Sequence, residues 1–214
     1  VRKVKLSAGI AAALVVAGIG LAVGIGGAAP ALAQGMGGPG RQFLEAIRKR
    51  EGADVDKALG PTGTPTIINT QDVTTGDTAL HIVTARRDLE WLRFLLLRGA
   101  DPNKANVKGV RPIGVAVSLG WVEGVQQLIE RGARVDDPGE TGETPLMTAV
   151  HQRDIELVRI LIKAGASATR ADNSGRSAKD YATLMGSESA IAQELNTAAK
   201  AAAARKATTY GPSF

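Results

Sequence analysis

Apolar residues recur at positions i, i+3 and i+4 in three stretches that lie 33 residues apart. Leu92, Leu95 and Leu96 form the first set, Val125, Leu128 and Ile129 the second, and Val158, Leu161 and Ile162 the third. This spacing is the buried stripe of an amphipathic helix. A shorter segment runs ahead of each stripe: TALHIVTA, RPIGVAVS and TPLMTAVH, with SAKDYATL following the third. Two glycine series keep the same 33-residue period. One is Gly76, Gly109, Gly142 and Gly175; the other is Gly99, Gly132 and Gly165, each followed by Ala. Two ladders in phase are the mark of a repeat architecture.

Local chemistry sets the helix ends. Asp88 and Asp154 sit where the second helix of a unit should begin and can cap its free amides. Arg98 and Arg131 lie in its last turn, where a cation favours the negative helix end. Gly99, Gly132 and Gly165 should then end it in a left-handed conformation. The unit is a helix–turn–helix followed by a turn-rich excursion.

This unit resembles the ankyrin repeat family. Gly76-Asp-Thr-Ala-Leu-His81 and Gly142-Glu-Thr-Pro-Leu-Met147 match the G-x-T-P-L-H signature, and LRFLLLRGADPN (Leu92 to Asn103) matches the second helix and hairpin. The resemblance implies an all-α solenoid of stacked helix–turn–helix units with hairpin loops. Core repeats are expected at 76–108, 109–141 and 142–174, inside a repeat domain spanning 42–207. Capping repeats are expected at about 42–75 and 175–207. The second helix of the first cap should stop early, since Gly60-Pro61 breaks it. In the last cap Ala182, Ile191 and Leu195 keep the core phase, while Gln193 and Glu194 replace buried positions, as a polar outer face requires. The Ala/Lys-rich run should prolong the final helix, and residues 208–214 should form a disordered tail. The resemblance further implies structural roles for Gly76, Thr78, His81, Gly99, Gly109, Gly132, Gly142, Thr144, Gly165 and Gly175. Thr78 and His81 would hydrogen-bond the turn and neighbouring backbone, with Asp77 projecting from the tip away from His81.

The second copy departs from the pattern. It reads Gly109-Val-Arg-Pro-Ile-Gly114, without the threonine and histidine, and Gly120-Trp121 replaces Arg-Asp at its second-helix start. Gly114 costs roughly 1 kcal/mol against Ala in a helix. Trp91, Gly124 and Leu157 share one repeat position, so the Trp91 ring is expected to fill the space left by Gly124.

Composition narrows the function classes. Apolar residues make up 44% and charged residues 22%, a globular balance, and aromatics only 3%, which favours a helical core over a β-sandwich. The formal charge is +5, but Arg2, Lys3 and Lys5 lie in an acid-free leader, leaving the remainder near neutral. That argues against a nucleic-acid reader. The chain has no cysteine, which rules out disulfides and thiolate metal sites, and no cofactor or metal is expected. His81 and His151 are out of phase and lack a His-Glu-x-x-His pattern, carboxylates are scattered, and no phosphate loop or nucleophile elbow occurs in the folded part. No catalytic residue is assigned. Gly24-x-Gly26-x-x-Ala29 matches a dinucleotide fingerprint formally, without the strand–turn–helix context that would give it meaning.

What remains is a surface. In the resembled family, partners contact the hairpin tips and the exposed, concave side of the first helices. Transferred position by position, that surface includes Thr75, Asp77, Arg86, Val107, Lys108, Val110, Ser118, Leu119, Glu140, Glu143, His151, Gln152 and Arg176. Val107, Val110 and Leu119 are apolar where solvent is expected, and with Arg86 and Trp121 they form the expected hot spot. The partner is another protein, and the chain itself is expected to be a monomer.

Residues 1–33 read as a secretory signal: a basic start, an apolar run, Pro30, and small Ala31 and Ala33 before Gln34. A Gly-rich linker, 34–41, follows. The chain is then periplasmic or secreted. The alternative is a retained inner-membrane anchor, because the apolar run is long enough to span, or a secreted or anchored protein acting on a host partner. Cell fractionation with N-terminal sequencing should find a mature protein beginning at Gln34; an intact, membrane-bound leader would establish the anchor instead.

Overall fold

The computed structural model describes residues 38–60 and 65–209, all within one compact unit. Eleven helices are found among the described residues: α1 (Pro39–Lys49), α2 (Gly52–Leu59), α3 (Pro65–Ile68), α4 (Ala79–Ala85), α5 (Leu89–Leu97), α6 (Pro112–Ser118), α7 (Val122–Glu130), α8 (Pro145–His151), α9 (Ile155–Lys163), α10 (Ala178–Leu184) and α11 (Ala190–Thr209). The only β feature among them is an isolated bridge between Ala171 and Ser177. The helices pair in sequence as α1–α2, α4–α5, α6–α7, α8–α9 and α10–α11. First helices stack in one row, α1–α4–α6–α8–α10, and second helices in another, α5–α7–α9–α11. The chain is an all-α solenoid.

The caps follow the sequence closely. Asp88 Oδ1 accepts from the Trp91 amide, and Asp154 Oδ1 accepts from the Glu156 and Leu157 amides at 3.1 and 3.0 Å. Ser177 and Asp180 form a reciprocal capping box at the start of α10. Pro112 and Pro145 open α6 and α8, where a missing amide proton costs nothing. Helix α1 starts at Pro39 for the same reason, inside the Gly-rich stretch expected to be linker. Gly60 caps α2, and α11 continues to Thr209, into the expected tail. The leader with its signal-or-anchor reading, and residues 210–214, lie outside the described residues.

One core runs the length of the stack. Leu92, Val125, Val158, Leu95, Leu128 and Leu161 have no exposure, so the first two positions of the periodic stripe are its centre. Each such side chain contributes about 1.5–3 kcal/mol by leaving water. At the third position Leu96 is buried, but Ile129 and Ile162 are half-buried at the margin. The N-terminal cap supplies Phe43, Leu44, Ile47, Val55 and Leu59; the C-terminal cap supplies Ala182, Ile191 and Leu195.

Two tryptophans are placed differently from expectation. Trp91 does not fill the space at Gly124; it is half-buried, edge-on to Phe94 at 5.8 Å between ring centres. Trp121 fills it. A Cβ on Gly124 would lie 2.1 Å from Trp121 Cε3, so the ring lies flat over the glycine. The cause is the exchange at the start of α7. Gly120 takes the left-handed conformation (φ 63°) that Arg87 and Arg153 take in the neighbouring repeats, and it does so without a Cβ penalty. Trp121, which cannot cap the helix as Asp would, is buried instead. Gly124→Ala should therefore lower stability by about 1–3 kcal/mol through overpacking against Trp121, measured by urea denaturation; an unchanged midpoint would contradict this packing.

Candidate functional site

The hairpin tips are held by side chains that imitate backbone. Asn106 Oδ1 accepts the Lys108 and Val110 amides at 3.0 and 3.1 Å, and Asp172 Oδ1 accepts those of Ser174 and Arg176 at 2.8 and 3.0 Å. Asp72 does the same for Thr74 and Thr75 in the first tip. The bond from Arg48, reinforced by these two amides, holds the Asp72 carboxyl down to about 2. Adjacent tips are then tied by amide bonds: Val107 N–H to Thr75 O at 3.1 Å, and Asn173 N–H to Thr141 O at 3.3 Å.

His81 braces the first of these junctions. It is buried in α4, where Nδ1 accepts the Thr78 amide at 3.1 Å. Its Nε2 therefore carries the proton and donates to Val110 O, in the next repeat, at 3.0 Å. Burial pushes its pKa below 6.5, against smaller upward pulls from the Val110 bond and the charge of Asp77. The histidine is a neutral strut between repeats. Asp77 itself is half-buried, and its carboxylate accepts from Asn106 Nδ2 at 2.9 Å.

The junction between the second and third core repeats lacks each of these ties. The position one period after His81 is Gly114, and one period after Asn106 is Gly139. Among the described residues, the Glu140 amide makes no bond to Lys108 O, the counterpart of the two inter-tip bonds. The gap is correspondingly wider. A Cβ on Gly76 or Gly142 would meet the facing amide nitrogen at 2.6 Å, but on Gly109 the nearest atom, Glu140 N, is at 3.6 Å. Between these tips lies a cleft of about 330 Å³ walled by Val110, Ile113, Gly114, Val115 and Pro145, with Glu140 and Glu143 at its edge.

Other residues expected to meet a partner separate into two groups. Some are committed internally. Trp121 is buried and leaves the expected hot spot, because it fills the space above Gly124. Arg86 donates to Ile47 O and Arg48 O at 2.7 and 3.1 Å, satisfying the end of α1, and lies 3.6 Å from Asp88. Gln152, in the same phase, donates to Ser118 O. Leu119 is half-buried against the core, and its carbonyl accepts from Arg87. The other group faces solvent: Thr75, Val107, Lys108, Ser118, Glu140, His151 and Arg176 are exposed, and Val110 and Glu143 half-exposed. Val107 is 68% exposed, and Val73, on the neighbouring tip and not singled out from the sequence, is 97% exposed.

At the far end of this face His151 Nδ1 lies 3.0 Å from Glu143 Oε1, and its ring meets Tyr181 edge-on at 4.5 Å. The Tyr181 hydroxyl donates to Asp172 at 2.5 Å, and together with Ser174 it keeps the Asp172 carboxyl far below the usual range. The histidine–carboxylate pair is the arrangement closest to an acid–base site. The nearby Thr148 hydroxyl donates to the same Glu143 Oε1, at 3.1 Å. Tyr181 belongs to the capping repeat, and nothing in the period points to it; Asp172 stands two periods after Asn106 and repeats its brace, so it, like Gly114 and Gly139, could have been found by reading the repeat phase.

Comparison with known proteins agrees with the repeat. The family described as "Ankyrin repeats (3 copies)" matches residues 113–199, and "Ankyrin repeat" matches residues 75–107, together more than half of the 214 residues. A human protein, "Ankyrin repeat and MYND domain-containing protein 1", is 41% identical over 58 residues, which are 27% of this chain and 6% of that protein.

His81→Ala should lower the unfolding free energy by about 1 kcal/mol or more, the scale of a lost buried hydrogen bond. Its folded pKa lies below the unfolded 6.5, so the unfolded state binds the proton more readily. The contribution is complete above pH 6.5 and is lost as pH falls through the folded value. The stability difference between wild type and His81→Ala should therefore shrink from about pH 7.5 to about pH 5, as read by urea titrations at each pH.

Proposed function

We propose that this chain, a member of the ankyrin repeat family, is an exported scaffold that binds another protein through its hairpin tips and first-helix face. The observation that carries this reading is the pair of exposed valines, Val73 and Val107, on adjoining tips whose backbones are fixed by Asp72 and Asn106. Apolar side chains held rigidly in water bind at low entropic cost, because nothing must be ordered on association. The surface beside them mixes Thr75, Lys108, Ser118 and Glu140, the polar rim that a non-obligate interface carries.

Export rests on the leader sequence, with its basic start, apolar run and Ala31-x-Ala33. The His151–Glu143 pair is read as part of the docking face, because His151 is exposed there and Glu143 is shared with the Thr148 hydroxyl. Affinity capture from a periplasmic extract should recover a partner with the wild-type chain and lose it with Val107→Asp. Val107 is the cleaner position, because Val110 is half-buried and its substitution also disturbs the tip. A partner retained equally by Val107→Asp would remove the tips from the binding surface.

A further inference from the structure

The cleft between the second and third core repeats has a chemistry of its own. Its apolar lining is Val110, Ile113, Val115 and the ring of Pro145, around the opening at Gly114, and the hydroxyls of Ser118, Thr141 and Thr148 are among its polar lining. At the preceding junction the same position holds the buried His81, and in the third repeat it holds Met147, which has no exposure. So the chain fills this place on either side and leaves it vacant once. At about 330 Å³ the space lies at the small end of ligand pockets and suits one or two side chains rather than a whole cofactor.

The charges around the cleft are unequal. Arg111 is paired with Asp137 at 3.1 Å, and Arg134 approaches the same carboxylate at 3.5 Å, so two arginines share one carboxylate and this group keeps a net positive charge. Glu143 is occupied by His151 and Thr148. Glu140 is exposed, and its carboxylate has no partner among the described residues. Lys108 stands on the second tip, so the third-tip edge is the anionic one. A guest seated here gains apolar burial in the cleft and a cation at Glu140.

From this we infer that the cleft is an anchor pocket for a protein segment that seats one aliphatic or aromatic side chain over Gly114 and sets a Lys or Arg beside Glu140. The inference rests on the reading of this face as a docking surface and gives the partner its chemistry. The missing inter-tip bond has the same consequence, since it lets the tips stand apart at the one junction where a side chain must enter.

The test is selection of a displayed random-peptide library on the full chain, followed by fluorescence anisotropy with the enriched peptides. Enriched peptides should share an apolar residue with Lys or Arg close by. Gly114→His puts into the cleft the residue that the first core repeat carries there, and it also removes a helix glycine, so the fold is retained or strengthened. Its Cβ would stand 3.3 Å from Val110 Cγ1, within what a valine rotation absorbs. The variant should weaken the peptides about tenfold or more, as expected for a buried anchor. Glu140→Lys should weaken them too, and should spare a version of each peptide lacking the cation. If Gly114→His melts early, Gly139→Asn narrows the cleft from the tip side, where its Cβ makes only ordinary contact with Val110 at 3.8 Å. Binding of the enriched peptides to both variants within about twofold of wild type, or the absence of any enriched motif, overturns the pocket. Peptides lost with Val107→Asp but kept by Gly114→His leave the docking face standing and remove the cleft; peptides kept by both variants remove both.

Discussion

No helical hairpin in this chain can bury its own apolar stripe. Each unit presents residues such as Leu92 and Leu95 to the next, and only stacking takes them out of water. Stability is therefore a sum over junctions, and the quality of a junction is set by few atoms. The strut from His81 to Val110 O shows how such a junction is made specific. A neutral imidazole spans two repeats because both of its nitrogens are already assigned, one accepting the Thr78 amide and the other donating across the gap. Hydrophobic burial holds the stack together, and bonds of this kind fix its register.

The same logic makes the second repeat informative. Its substitutions are not scattered weakenings. Gly114 removes the strut, Gly139 removes the Asx brace of the third tip, and the amide bond between the two tips is missing. All three act on the first-helix side of one junction. On the second-helix side the repeat is sound: Val125 and Leu128 are fully buried, and Trp121 covers Gly124. The helices thus keep the solenoid continuous while the tips separate. A junction can open locally in this way because repeat contacts are nearest-neighbour, and a loss at one interface does not propagate.

The period made the fold legible before any coordinates. It located the helices, the capping aspartates and the central core residues, since each is fixed by local spacing and by backbone chemistry. It was less informative about side chains that cross between repeats. Trp121 was expected at the surface because its repeat position is normally an aspartate cap, but an aromatic ring there finds the void over Gly124 three residues on. Arg86 was expected to await a partner, but the carbonyls at the end of α1 lie within its reach, and α1 belongs to a cap whose resemblance to the repeat is incomplete. Tyr181 escaped for the same reason, since it stands in the other cap.

Val107 and the Gly114 cleft illustrate two ways in which a repeat frees surface for binding. In the first tip–tip junction, amide bonds are complete, and the valine projects from a rigid frame. In the second, the frame is incomplete, and the space itself is the feature. A cleft of this kind carries a stability cost, because a helix glycine and a missing strut each weaken the junction by about 1 kcal/mol. Apolar surface left open at a fixed depth is recovered as binding free energy only when a complementary side chain enters it. Sequence changes that strengthen the repeat toward its own pattern, as a histidine at Gly114 would, remove the opening in the same step. Stability and binding at this junction draw on the same few atoms and are opposed there.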